Sequence, residues 1–348
     1  MRLRRADVEL GWGEPEPVPT RSAFLRLCKA RGASSVEVIR ADPTLLTELQ
    51  LGSFFQAYWR RRVVRRAACA LHLSPSILPA STLATDVAFW RGVRSVATRT
   101  EWDRFTRSSY VVFYYHGVAT GRTGWEQLHA SPQRVTRQLR LLDRLGFRPL
   151  SPEELMAFHT DPGKTLPPKS FVVCADDGFR TAVDALRLYA DLRPQIFVNT
   201  AEVGGTATWG GDEPLADWEE LRTFVQAGGI VASHCRTHPS LPELDDPALE
   251  DELAGARREL EDRLPDTAPL FAYPYGLHDE RVRTAVAAAG YRLAFTTEPG
   301  RNGAGTDAYC LRRIGLKDWD GTTALLWLAF TGELLPWFWE RRRRRTPR

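Results

Sequence analysis

Residues 172–182 read VVCADDGFRTA, with Asp176 and Asp177 side by side where an apolar run ends and a glycine follows. Adjacent carboxylates raise each other's pKa and cost stability unless a cation sits between them or one is hydrogen-bonded in its charged form. Other groups with chemical capacity follow the same pattern: His116 in YYHGV, His234 and His238 in SHCRTHP, and Tyr273, Pro274, Tyr275 and Gly276 in YPYG. Each has a plain reading by itself. The aspartates make a turn, the histidines sit in loops, and in YPYG proline fixes φ while glycine tolerates a positive φ. Together, two neutral imidazoles and one carboxylate form a three-ligand set suited to zinc or a similar divalent ion, with positions left for water and substrate. Such an ion accounts for the aspartate pair: Asp177 coordinates it, and Asp176, kept ionised by the nearby cation, accepts a proton from the bound water.

These residues need a scaffold that gathers strand ends. From about 108 to 320 the chain shows short apolar runs, YVVFYY (110–115), SFVVCA (170–175), PQIFVN (194–199), GGIVAS (228–233), PLFAYP (269–274) and LAFTT (293–297). Between them lie amphipathic stretches such as SPQRVTRQLRLLDRLG and DERVRTAVAAAGY, which start at Ser or Asp and end at glycine. Alternating strands and helices predict parallel βα units, as a barrel or a doubly wound sheet. In such folds chemistry collects where strands end, and each group named above stands at a strand exit. Residues 1–100 hold no strand-like run and predict an Arg-rich helical accessory segment, as in LLTELQLGSFFQAYWRRRVVRRAACAL.

The order ADDG, then HCRTHP, then AYPYG resembles the polysaccharide deacetylase domain of carbohydrate esterase family 4, also called NodB-like, over residues 108–320. The resemblance implies a distorted (β/α) barrel and a metal-dependent hydrolase that removes an N- or O-acetyl group from a carbohydrate. It implies Asp177, His234 and His238 as ligands of a divalent metal, zinc foremost, with cobalt, nickel or manganese as the other choices, and Asp176 as the base. It implies the Tyr275 N–H as an oxyanion donor. The leaving amine also needs a proton. Many members supply it from a late Leu-x-His segment, but no histidine follows His278 here. His116 takes that place, because closing a barrel sets the first and last strands side by side. Tyr273, Trp209 and Asp212 are the candidates for substrate binding; Trp218, at a helix start, reads as core. Three positions depart from the family pattern. Ala272 stands where an arginine usually orients the base, Cys235 where a hydroxyl residue follows the first histidine, and Ala175 where an aromatic precedes the aspartates. The missing arginine and late histidine leave room for a catalytically silent carbohydrate-binding scaffold. A deformylase or other amidohydrolase acting on a lipid-linked aminosugar is a further alternative.

The formal net charge is +4, but residues 1–75 carry +6 and residues 340–348 carry +5, leaving the middle acidic. Basic ends suit an anionic membrane surface, and the acidic middle argues against a nucleic-acid groove. Residues 322–339, TTALLWLAFTGELLPWFW, hold one charge and precede five arginines. Gly332, Glu333 and Pro336 interrupt them, so the expectation for 321–348 is an apolar helix with a basic tail, touching a membrane peripherally rather than crossing it. The five cysteines are scattered without a CxxC, and the N-terminus has no apolar leader. Both point to a cytoplasmic protein, resting on the inner membrane face, whose partner is an acetylated carbohydrate or a lipid-linked sugar.

Overall fold

The computed structural model describes residues 20–78, 82–119, 128–207, 209, 213–264 and 267–333. Nine strands form one curled sheet: β1 Ser109–Tyr115, β2 Arg148–Pro149, β3 Ser170–Ala175, β4 Gln195–Val198, β5 Ile230–Ser233, β6 Leu270–Ala272, β7 Leu293–Phe295, β8 Arg301–Gly303 and β9 Ile314–Gly315. Their order is β7-β6-β5-β4-β3-β1-β8, with β2 on β3 and β9 on β1. All pairings are parallel except β1 with β8. The seam between the first and last strands is filled by one stretch of chain. Phe295 of β7 bridges Leu311, and Phe113 and Tyr114 of β1 then pair with Ile314 and Gly315. This is the distorted (β/α) barrel that the motifs imply.

The period of two along each strand separates two cores. Val111, Phe113 and Tyr115 face outward, with Phe171, Val173 and Ala175, toward the surrounding helices. Tyr110 and Val112 face inward with Val172, Cys174, Phe197, Ala232, Ala272 and Phe295. The N-terminal helices are α1 Arg21–Ala41, α2 Trp59–Ala70, α3 Thr82–Val96 and α4 Arg99–Thr106. They do not stand apart from the barrel, since Phe54, Phe55, Trp90 and Trp102 join the same inner core. Two glycines permit the approach. A Cβ on Gly52 would lie 2.1 Å from the Leu46 carbonyl, and one on Gly303 would lie 2.4 Å from the Phe55 ring.

The helices outside the sheet are α5 Pro132–Arg144, α6 Pro152–Thr160, α7 Arg180–Arg187, α8 Trp218–Gln226, α9 Asp246–Glu250, α10 Ala256–Arg263, α11 Glu280–Ala288 and α12 Thr322–Thr331. A single π turn, Asp251–Gly255, joins α9 to α10. Helix α12 stops at Gly332, whose φ of 71° ends it in the left-handed region. The remainder of the expected apolar helix and the basic tail lie outside the described residues. No described helix is long and apolar enough to cross a membrane.

Candidate metal and acyl-transfer site

Inward parity carries past the strand ends. Val112, Tyr114 and His116 alternate on β1, Val172, Cys174 and Asp176 on β3, and Ala232 and His234 on β5, so three site residues point into the barrel mouth by register alone. The ladder extends to hold them: the Asp176 N–H donates to the Tyr115 carbonyl at 3.0 Å, and that of His234 to the Val198 carbonyl at 2.9 Å. Asp177 sits on the opposite parity and reaches the pocket through the chain reversal that follows, with φ of 71° at Asp177 and 76° at Gly178. Seven described non-glycine residues have positive φ, and four of them, Asp177, Cys235, His238 and Tyr275, belong to this site. Such backbone is unfavourable for residues with a Cβ, and its concentration here marks geometry held in place by the surroundings.

The pocket is a cavity of about 240 Å³ lined by His116, Asp176, Asp177, His234, His238, Tyr273 and Tyr275, among others. Asp177 Oδ1 lies 3.5 Å from both His234 Nε2 and His238 Nε2. One donor atom from each residue falls within 4.8 Å of the other two, and all three residues are buried. His234 Nδ1 is 2.7 Å from the Ala272 carbonyl. A carbonyl only accepts, so the ring proton sits on Nδ1 and Nε2 presents its lone pair to the cluster. Two imidazole nitrogens and one carboxylate oxygen, converging without a cation of the chain among them, fit a divalent metal. Burial works to raise the Asp177 pKa, but the neighbouring imidazoles outweigh it and bring the carboxyl to about 2. Burial beside His234 pushes His238 down to about 3, so it rests neutral and able to ligate.

Asp176 is held differently. Arg313, fully buried, donates Nη1 to its Oδ1 at 2.6 Å and Nη2 to its Oδ2 at 2.8 Å, and gives Nε to the Thr296 carbonyl at 2.9 Å. The guanidinium lies 4.5 Å from the Tyr114 ring centre. Burial would raise Asp176, yet this charge-assisted fork holds it below the ordinary carboxylate value. The arginine that Ala272 lacks is therefore supplied by a residue far downstream, in the segment that fills the barrel seam. Sequence reading missed it; an arginine pair inside the apolar stretch CLRRIGL was the only local signal.

The loop between the two histidines was also illegible. The N–H groups of Arg236 and Thr237 donate to Glu252 Oε2 at 2.8 and 3.0 Å, and the Thr237 hydroxyl bonds Oε1 of the same carboxylate. Glu252 lies in the π turn, a bulge of a kind often found beside functional sites. On the other wall, His129 Nε2 meets Glu213 at 2.9 Å, and Glu213 also accepts from Thr181 at 2.7 Å, tying the strand-exit loop to the turn after Asp177.

The remaining expected residues divide. His116 lines the cavity; burial and the Lys317 charge push it down to about 4, and its Nδ1 is buried without a hydrogen-bond partner among the described residues. Trp209 stacks on His238 at 4.6 Å, and the Tyr275 ring, 56% exposed, meets the same imidazole edge-on at 4.5 Å. Tyr273 forms buried wall, with its hydroxyl donated to the Tyr309 carbonyl at 3.1 Å. Trp218 packs against the outer core, and His278 lies over the Tyr273 ring. Asp212 lies outside the described residues.

This fold and this arrangement of side chains define a class. Residues 163–294 match the polysaccharide deacetylase family model. Among solved structures, it is similar to the Streptococcus pyogenes deacetylase PplD in complex with acetate, at 21% identity and TM-score 0.56, over 65% of this chain and 99% of that one. It is similar to IcaB from Ammonifex degensii at 22% identity and TM-score 0.54, over 65% and 98% of the respective chains. BC0361, a polysaccharide deacetylase from Bacillus cereus, matches at 24% identity and TM-score 0.54, over 65% and 69%. A search of curated proteins gave no match.

Proposed function

We propose that the protein hydrolyses an N-acetyl or O-acetyl group from a carbohydrate at the strand-exit pocket. The observation that carries this reading is the division of the aspartate pair: Asp176 is forked by Arg313, while Asp177 faces two histidine nitrogens. Asp177, His234 and His238 would hold the divalent ion, with zinc the first choice for a two-nitrogen, one-oxygen set. When bound, such an ion supplies Lewis acidity toward the acetyl carbonyl and the attacking water.

The chain's own residues do the rest. Asp176, ionised at neutral pH because Arg313 opposes its burial, takes the proton of the water. The Tyr275 N–H donates to the oxygen on which charge develops. His116 rests neutral, so it is not a ready acid; the proton that Asp176 takes from the water is handed to it and passed on to the leaving nitrogen or oxygen, which returns Asp176 to its ionised form. Trp209 and the exposed Tyr275 ring offer apolar faces on which a sugar can stack. Acetate, named with the Streptococcus pyogenes structure, is the product this site would release. The Arg313 fork also weighs against a silent scaffold, which has no need to keep a buried carboxylate ionised.

The test pairs metal content by elemental analysis with acetate release from a panel of acetylated sugars, for the wild type, Asp177→Ala and His238→Ala. The reading requires near-stoichiometric metal and acetate release in the wild type, with both lost in the two variants. Formate but no acetate from the matching formylated panel would transfer the site to deformylation. Wild type that stays metal-free after divalent ions are added back would leave the aspartates as a turn.

A further inference from the structure

Hollows larger than the strand-exit pocket lie away from the chemistry. One, of about 1010 Å³, is at the base of the barrel, between α2, α12 and the segments that lead into β1 and β3. Five cations line it, Arg62, Arg66, Arg107, Lys169 and Arg301, against Asp103 as the one acid in its wall among the described residues. Asp103 is already shared by Arg99 and Arg107, and Glu333 lies 3.7 Å from Arg62. Two of the cations are buried and their hydrogen bonds go to neutral acceptors. Arg301 donates to Ser109 Oγ and to the carbonyls of Ser109 and Ala329; Arg62 donates to those of Phe55 and Thr331. Carbonyls satisfy the N–H groups but leave the Arg301 charge uncompensated, while Glu333 offsets only part of that on Arg62. Burial and mutual repulsion accordingly push Arg301 down to about 9, and burial pushes Arg62 down to about 10.

The rest of the wall is apolar, including Phe55, Trp59, Phe147, Trp327 and Phe330. At its lip, Phe330 is 53% and Val63 52% exposed. On the far side of α12, Arg137, Arg140 and Arg144 of α5 line a second shallow hollow and form no ion pair among the described residues. The sequence after Glu333 reads LLPWFWERRRRRTPR, with two tryptophans, one phenylalanine and six arginines.

We propose that this basal groove binds the anionic phospholipids of a membrane surface, with a headgroup phosphate among Arg66, Lys169 and Arg301 and acyl chains against Trp327 and Phe330. Charge complementarity argues for an anion, and the aromatic lip beside it argues for an amphiphile rather than a soluble phosphate. Strand polarity gives the orientation. The groove takes in Ser109 at the start of β1, and the site lies past Tyr115 at its end, roughly 20 Å away at ~3.3 Å per residue. With the base on the membrane, the deacetylase pocket opens away from it, toward glycan standing off the surface rather than the sugar next to a lipid anchor.

The experiment is co-flotation of the full chain with vesicles of phosphatidylcholine alone and of phosphatidylcholine containing phosphatidylglycerol. The variants are Arg66→Glu with Lys169→Glu, and separately Phe330→Asp; all three positions are exposed and distant from the pocket. Expected is flotation with the anionic vesicles only, reduced about tenfold or more by the charge reversals and also by Phe330→Asp. Acetate release from a soluble substrate should be unchanged, which separates this result from any failure of the catalytic reading. Flotation undiminished in both variants overturns the groove and assigns binding elsewhere. No flotation of the wild type, or binding of an RNA oligonucleotide that the same variants abolish, overturns the lipid assignment.

Discussion

Replacing Arg313 by methionine tests the central electrostatic claim. The guanidinium has no solvent exposure, and its loss would leave the Asp176 carboxylate buried with neither of its two fork bonds, at 2.6 and 2.8 Å. Breaking a buried pair from one side typically costs about 3–5 kcal/mol, a large share of a domain's stability. The protonation consequence is more specific. Burial is the largest influence on Asp176 and acts upward; Arg313 is the largest influence acting downward. An adjacent guanidinium lowers a carboxylate by about 1–3 pKa units, so without it Asp176 should titrate above, rather than below, its ordinary value. A base protonated near neutral pH is no base. The acidic limb of kcat against pH should therefore move upward by about two units in Arg313→Met, with part of the lost rate recovered at alkaline pH. Adding Asp176→Asn to Arg313→Met removes the orphaned charge, so the double variant should be more stable to denaturant than Arg313→Met alone, though inactive. The assay is metal-loaded acetate release across pH, beside urea denaturation of the wild type and the two variants. If Arg313→Met loses activity equally at every pH, with the limb unmoved, then Arg313 is structural and the assignment of Asp176 as base fails with it.

Glu252→Ala should weaken zinc binding by about 10- to 100-fold, measured by competition with a chromophoric chelator, because the loop that presents His238 loses three bonds. Trp209→Ala should raise KM for an oligosaccharide with little change in kcat for a small acetylated ester; an equal loss on both substrates would deny it a stacking role. Stability should fall as pH drops from 6.5 toward 4. His159, in contact with the Tyr110 hydroxyl at 2.9 Å, is pushed down to about 4 by burial, so the unfolded chain binds the proton first and draws the equilibrium toward itself. At roughly 1.4 kcal/mol per unit the loss is at most about 3 kcal/mol, and His159→Gln should flatten the urea midpoint over that range relative to wild type.

What could be read in the sequence was whatever local register carries. The strands β1, β3, β4, β5, β6 and β7 appear as apolar runs, and the parity that aims His116, Asp176 and His234 inward follows from those runs. The short strands β2, β8 and β9, with sequences RP, RNG and IG, hold no apolar run to recognise. The turn into Asp177 could be suspected from Gly178, but the left-handed backbone at Cys235 and His238 could not, because cysteine does not favour it and the enrichment of histidine there is too small to single out one position. Nor does helical periodicity reveal that Phe54 and Trp90 enter the core of the barrel; amphipathicity says that a face is buried, never against what.

Arg313 is the sharpest instance of this limit. The sequence showed a vacancy at 272 and offered no reason to fill it from the seam, because the vacancy and its replacement meet only when the barrel closes. Closure brings the segment 308–316 between β7 and β1, and the same contact that seals the sheet sets a guanidinium under Asp176. Orientation of the base thus depends on a tertiary event, not on a motif. It follows that a substitution loosening the seam, such as Leu311→Ala with its side chain fully buried, should disturb Asp176 without touching the pocket. The cavity would cost about 2–5 kcal/mol in denaturant stability, and the acidic limb should rise in the same direction as in Arg313→Met, by a smaller amount. Leu311→Ala that loses stability but keeps the wild-type pH profile would separate sheet closure from the tuning of the base and refute the coupling.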